Sequence, residues 1–188
     1  MHANALDVLE FPAVLERLAA ATATARGAEL ARSLVPSPDA AEVARRQALT
    51  GEAIALLDEA AEPPLRGIED VRVAAERAAR GGLLDAAALA EVARTIGGAL
   101  AARAALDGQA ELAPLLAGLA APVDPSLRRV ADAIGDAVEE DGSDLRDNAS
   151  PALRRLRRQL RDGRHRVAEE LRRLARGSAL AGHLQGTS

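Results

Sequence analysis

Apolar side chains in residues 151–176 recur at a spacing that predicts one long helix with a single apolar face. The intervals between them are 3, 4, 7, 4 and 3 residues, which is the a/d spacing of a coiled-coil seam with one rung missing near Gly163 and Arg164. The candidate seam residues are Leu153, Leu156, Leu160, Val167, Leu171 and Leu174. Ser150 is suited to cap this helix and Pro151 to be its first residue. The pattern predicts an arm helix over residues 150–176.

Arginine is concentrated in the same stretch, and the chain contains no lysine. Residues 151–176 hold ten arginines against three acids, a balance of +7, whereas residues 1–150 hold 14 arginines against 25 acids, a balance of −11. The net charge of −4 therefore combines an acidic body with a basic arm.

Half of the arm arginines fall in one stripe beside the seam when an ideal helix is projected down its axis. This stripe consists of Arg154, Arg158, Arg161, Arg172 and Arg176, with His165 among them. A row of guanidinium groups suits phosphate, so these five arginines are candidate contacts to a nucleic-acid backbone. The alternative is that the stripe is only the solvated face of a coiled coil.

A second face of the arm carries Arg155, Arg166 and Arg173. Arg166 and Glu170, like Glu169 and Arg173, are four residues apart, a separation at which oppositely charged side chains meet on a helix. We therefore expect this second set to be neutralised within the helix and the stripe to be left largely unpaired.

Phe11 is the only aromatic residue, so a core has to be assembled from leucine, valine, isoleucine and alanine. No run alternates as a half-buried strand would, which predicts an all-α fold: an irregular helical bundle with a long protruding coiled-coil arm helix. We assign residues 1–148 to a helical core domain and residues 149–188 to the arm. Within the core, helices are predicted from Pro12, over 25–34, 39–61, 69–80, 85–106 and 112–119, and from 125 to 138. Ser37 and Asp85 are predicted N-caps, and Gly97-Gly98 is expected to favour a kink.

No catalytic, cofactor-binding or metal site is predicted. Without lysine the chain cannot carry a P-loop that ends in GK[ST], and without cysteine it has no zinc-thiolate site or cysteine nucleophile. His2, His165 and His183 are too far apart in sequence for ligand spacing, and the acids between Glu139 and Asp147 are interpreted as a solvated turn. No apolar run approaches the roughly 18–20 residues of a membrane span, and the N-terminus lacks the basic region of a signal peptide. We therefore expect a cytoplasmic protein with no membrane partner.

Several stretches carry a family likeness when they are taken in order. They are ALDVLEFPAVLERLA at 5–19, LVPSPDAAEV at 34–43, PPLRGIEDVR at 63–72, RGGLLDAAALAEVARTI at 80–96, LAPLLAGLAAPVD at 112–124, EEDGSDLRDNASPALRRLRRQL at 139–160 and HLQG at 183–186. The most specific part is the motif D-x-A-S-P-x-L-x-x-L-R, which begins here at Asp147. In this ordered set the chain resembles the N-terminal part of the second bacterial MutS family, MutS-two.

The resemblance implies a dimeric ATPase with a helical core, a long coiled-coil lever or clamp arm, a P-loop domain that uses ATP and Mg, and usually an Smr-type nuclease domain. It links the family to branched DNA and the control of recombination, and also to the rescue of collided ribosomes. This chain would be the N-terminal part of the core with the outgoing arm helix, without the return helix, the ATPase or the nuclease. No catalytic or nucleotide-binding residue of the family can therefore be carried over, and the chain alone is not expected to be an enzyme.

Two hypotheses for function follow. In the first, the chain is the core and clamp-arm part of a homodimeric protein that binds duplex or branched DNA, or ribosomal RNA. In the alternative, it is a helical scaffold whose seam pairs with a partner helix, with no role in nucleic-acid binding. A steep fall of duplex binding with salt would favour the first hypothesis.

Overall fold

A computed structural model describes residues 3–60 and 62–176. In this part the chain is all-α, as predicted, with nine helices and no β-sheet. The helices are α1 (Ala3–Val8), α2 (Phe11–Ala20), α3 (Ala25–Arg32), α4 (Ala40–Glu59), α5 (Arg72–Ala79), α6 (Ala86–Asp107), α7 (Pro114–Ala120), α8 (Leu127–Ala137) and α9 (Pro151–Arg176). Among these helices, none combines the length and the apolar character needed to cross a bilayer.

Contacts divide the chain into two compact units, one that ends at Asp144 and one that begins at Leu145. The predicted boundary between residues 148 and 149 stays a prediction, because a compact group of contacts is not evidence of independent folding. The first unit contains α1–α8, and the second contains α9.

In the first unit, α6 is the central helix, with α7 and α8 packed against it. α4 packs on α7, while α2 packs on both α1 and α3. The buried apolar residues of this unit are Ala19, Ala31, Leu56, Ala90, Leu100, Ala102, Ala113, Ala117 and Val138. Most of them are alanines, so the helices can approach closely while each side chain contributes little buried area.

The helix starts follow local capping chemistry, with two corrections. The Asp85 carboxylate accepts a hydrogen bond from Ala88 N at 2.8 Å, which confirms its role as the N-cap of α6. The predicted cap Ser37 is wrong, because the N-cap of α4 is Asp39, whose carboxylate accepts from Ala41 N at 2.9 Å. α7 begins at Pro114 rather than at residue 112, since proline has no N–H to donate and suits the first helical position.

α6 runs unbroken from Ala86 to Asp107, and the predicted kink at Gly97-Gly98 stays a prediction. Gly98 lets the loop before α5 approach the helix. A Cβ atom at this position would lie 2.8 Å from Ile68 Cγ1. The neighbouring Glu69 N donates to Thr95 Oγ1 at 3.1 Å, which fastens the same loop to α6.

One long-range carboxylate joins α4 to α7. The two oxygens of Glu52 accept hydrogen bonds from Leu115 N at 3.1 Å and from Leu116 N at 2.9 Å. These N–H groups have no partner inside their own helix, so Glu52 caps α7 from another part of the chain. This contact helps to hold a seven-residue helix that is too short to be stable alone.

The acidic turn that closes the first unit packs against α6. Gly142 adopts a left-handed φ of 70°, and a Cβ atom there would lie 3.1 Å from the Cβ of Ala90. Asp141 accepts from Ser143 N at 2.9 Å, and Glu139 N donates to Asp144 O at 2.9 Å. Across residues 3–60 and 62–176 there is no group of three or more histidine or acidic side chains arranged to hold a metal ion. His2 and His183 lie outside the described residues.

Candidate nucleic-acid interface

The start of α9 is built as its sequence predicts. The Ser150 hydroxyl accepts a hydrogen bond from Leu153 N at 3.0 Å, and Pro151 is the first residue of the helix. Arg154 N then donates to Ser150 O at 3.1 Å, which begins the regular helical ladder. The cap and the proline therefore fix the position from which the arm arginines are counted.

The apolar stripe of α9 is open to solvent. Its exposed residues are Leu156, Leu160, Val167, Leu171 and Leu174. Leu153, at the start of the stripe, is half-buried. The structure thus places the candidate seam on one face of a 26-residue helix, and its pairing with another helix stays a prediction.

The arginine stripe is also exposed. Arg154, Arg158, Arg161 and Arg172 are all accessible, and in the described part of the chain no acidic side chain forms an ion pair with any of them. Arg176 is the last residue of α9, and its side chain lies outside what the structure describes. Whether the stripe contacts nucleic acid stays a prediction.

The ion pairs on the second face differ from the predicted ones. Arg173 pairs with Glu170, three residues away, instead of with Glu169. Glu169 lies 3.3 Å from His165 Nε2 instead, so its carboxylate faces the stripe. Within the described residues Arg166 has no acidic partner, which makes the second set less neutralised than expected. Several pairings of similar energy exist on an exposed helix, so spacing alone cannot select one.

Sequence reasoning missed Arg157, which the projection places between the seam and the stripe. Its Nη1 donates to Asp147 Oδ1 at 2.6 Å, and this guanidinium is the main cause of a lowered pKa for the Asp147 carboxyl. The charges of Arg161 and Arg154 lower the pKa of Asp147 further. Asp147 and Arg157 are the first and last letters of the motif D-x-A-S-P-x-L-x-x-L-R, and this is the signal that could have paired them.

The chain is 40% identical over 179 residues to a protein named endonuclease MutS2 from Symbiobacterium thermophilum, and the match covers 95% of the chain. It is 35% identical over 182 residues to a protein of the same name from Geobacillus, again across 95% of the chain. A third MutS2 protein, from Acetivibrio thermocellus, is 29% identical over 192 residues and 98% of the chain. Over nearly its whole length, the chain is therefore similar to one part of the MutS2 proteins. No family model matches it.

These matches cover only 22% to 24% of the three MutS2 relatives. The chain therefore spans about a quarter of the length of the curated relatives that it matches. What the name endonuclease describes is a property of those longer proteins.

Proposed function

We infer that this chain supplies the helical core and the arm helix with which a MutS2 protein holds nucleic acid. The observation that carries this proposal is the exposed row of Arg154, Arg158, Arg161 and Arg172 on one face of α9, with no acidic partner among the described residues. Guanidinium groups that are not engaged by carboxylates remain available to phosphate oxygens, for which their planar donors are well matched.

The expected contact is to the backbone and not to the bases. Base stacking on single strands uses aromatic side chains, and Phe11 is the only one in the chain. Along α9 the rise of about 1.5 Å per residue puts Arg154 and Arg158 about 6 Å apart and Arg161 and Arg172 about 16 Å apart. Such an extended row can contact several phosphates of a duplex at once, and each contact adds to affinity without reading the sequence.

For the intact gene product, we propose a homodimeric ATPase that uses ATP and Mg and carries an Smr-type endonuclease domain. The similarity to MutS2 proteins over nearly the whole chain supports this proposal, as does the name of the relatives. Its ligand would be duplex or branched DNA, or the double-stranded parts of ribosomal RNA. A phosphate-directed stripe suits all three, so binding assays have to compare them side by side.

The test is a pair of triple variants of the intact gene product. Replacing Arg154, Arg158 and Arg161 by Glu reverses three charges of the stripe, and the same change at Arg155, Arg166 and Arg173 reverses three charges of the second face. The first variant should bind duplex DNA more weakly whatever its sequence, and should flatten the plot of log affinity against log salt by about 0.9 per lost contact. The second variant should change both quantities less. If the two variants bind as tightly as the parent at low salt, the proposal is wrong.

A second candidate function is that of a protein-interaction scaffold. The apolar stripe of α9 favours it, and so does an apolar groove of about 650 Å³ in the first unit. The groove lies between α2 and α4, where Val14, Leu18 and Ile54 are exposed. If neither triple variant changes the binding of duplex DNA, the scaffold function is favoured over nucleic-acid binding by the arm.

A further inference from the structure

The arginine stripe of α9 includes one residue of a type whose charge changes near neutral pH. His165 lies between Arg161 and Arg172 in sequence, and the helical projection places it on the same side of α9 as both. Histidine is the residue type that ordinarily changes its charge between pH 5 and 8, whereas arginine stays protonated throughout that range. The stripe therefore combines fixed positive charges with one variable charge.

The variable charge lies in the widest gap of the stripe. Along the helix axis Arg161 and Arg172 are about 16 Å apart, and His165 is about 6 Å from the first and about 10 Å from the second. A protonated ring divides this gap, so the cations continue along the helix. A neutral ring leaves the gap open, and the stripe then consists of two separate halves.

The Glu169 carboxylate faces the same gap. Its Oε1 lies 3.3 Å from His165 Nε2, and the two side chains are 61% and 69% exposed, so solvent and a ligand can reach both. A carboxylate at this place repels a phosphate, and an imidazolium beside it offsets that charge. With the ring protonated the pair is neutral, whereas with the ring neutral it carries the negative charge of Glu169.

The other charged neighbours of His165 within the second unit lie on α9 itself, since α9 is the only helix in the described part of that unit. The charged residues around it on the helix are Arg161, Asp162, Arg164, Arg166, Glu169 and Arg172. Arg164 and Arg166 lie about 100° around the helix from His165 and Asp162 about 60°, whereas Glu169 lies about 40° away. Within residues 3–60 and 62–176, the ion pair of His165 is the one with Glu169. These two residues are therefore the pH-dependent part of this face.

We propose that His165 makes the binding of duplex nucleic acid by α9 dependent on pH. At acidic pH the imidazolium adds a contact to a backbone phosphate between Arg161 and Arg172 and offsets the charge of Glu169. At alkaline pH the neutral ring leaves Glu169 to repel the phosphate at this point. This inference rests on the proposed function, to which it adds a regulator, the proton, that acts within the stripe.

The experiment follows duplex DNA binding by the intact gene product with fluorescence anisotropy. Measurements at about pH 5 and about pH 8 bracket the ordinary titration of histidine, and salt is varied from about 50 to 200 mM. The parent should bind more tightly at the lower pH, with a salt slope that is steeper by about 0.9, one added phosphate contact. The gain at low pH should then shrink about 3.5-fold across that salt range.

Two substitutions at residue 165 should act in opposite directions. His165→Gln should lose this part of the pH response, and His165→Arg should keep the steeper salt slope at both pH values. The matched control is His183→Gln, which removes the same residue type after the end of α9 and should respond to pH as the parent does. If His165 has only a structural role, both substitutions at residue 165 will weaken binding at both pH values, and that result overturns the inference.

A further variant identifies the group that titrates. Glu169→Gln should bind duplex more tightly than the parent at both pH values and should keep the pH response that His165→Gln loses. A response lost in Glu169→Gln but kept in His165→Gln would contradict the inference, as would an equal loss in His165→Gln and His183→Gln. If the parent shows no salt-dependent duplex binding at either pH, the proposed function fails and this inference fails with it. If the parent binds but His165→Gln responds to pH as the parent does, this inference alone is wrong.

Discussion

Replacing Leu160 by Asp tests whether the open seam of α9 drives association of the 188-residue chain. Leu160 is 54% exposed. Full burial of a leucine side chain stabilises by about 1.5–3 kcal/mol, so covering the exposed half of Leu160 contributes about 0.8–1.6 kcal/mol. A symmetric dimer loses this contribution twice, about 1.6–3.2 kcal/mol in total, which corresponds to a rise in Kd of roughly 15- to 220-fold. The carboxylate placed in an apolar contact adds to the loss.

The measurement is sedimentation equilibrium of the purified chain and of its variants. Gln159→Asp is the matched control, because it introduces the same residue one position away, on an exposed part of α9 outside the seam. We expect the parent and Gln159→Asp to self-associate and Leu160→Asp to be largely monomeric. A parent chain that stays monomeric at the highest concentration reached, with α9 still helical, would refute the reasoning. Equal weakening by both substitutions would show that charge, and not the seam, governs association.

Three other outcomes are expected of the same chain. The isolated chain should neither bind nor hydrolyse ATP in an equilibrium binding and phosphate-release assay, because it has no lysine to reach the phosphates. Gly142→Ala should lower the free energy of unfolding by about 1–2 kcal/mol, because Gly142 has a left-handed φ. Gly163→Ala should raise it by about 0.8–1 kcal/mol, because Gly163 lies inside α9 with open space around it. Chemical denaturation measures both changes. The pKa values of Glu42 and Asp70 are lowered to about 2 by hydrogen bonds from neighbouring arginines, so their contribution to stability is complete above pH 4.5 and is lost as pH falls toward 2. Glu42→Gln should therefore reduce the dependence of the thermal midpoint on pH in that window, and an unchanged profile would contradict the assignment.

Local chemistry explains why much of the fold could be predicted. Asp85 and Ser150 each cap the helix that the sequence assigns to them, because a capping side chain needs only the N–H groups of the next three residues. The length of α9 follows in the same way from an apolar spacing that a helix alone can place on one face. The predicted cap Ser37 lies two residues before the observed cap Asp39, and both side chains accept a backbone hydrogen bond there.

Contacts between distant residues could not be predicted by these rules. Nothing in the sequence around Glu52 indicates that its carboxylate caps α7, because the capped N–H groups lie about sixty residues further along the chain. Gly98 was interpreted through its low helix propensity, whereas its role is to make room for Ile68 from a separate loop. On the arm, Glu169 and Glu170 have several arginines and a histidine at similar separations. Only the structure shows that Glu169 pairs with His165 and Glu170 with Arg173.

The motif from Asp147 to Arg157 combines local capping with a contact across ten residues, and its letters have separate physical roles. Serine caps α9, and the next residue is proline, which has no N–H that would require an acceptor. The two leucines, Leu153 and Leu156, begin the seam at the a/d interval. The first and last letters form an ion pair that reaches back over the cap, so the motif fixes where the arm begins and holds Arg157 beside the stripe.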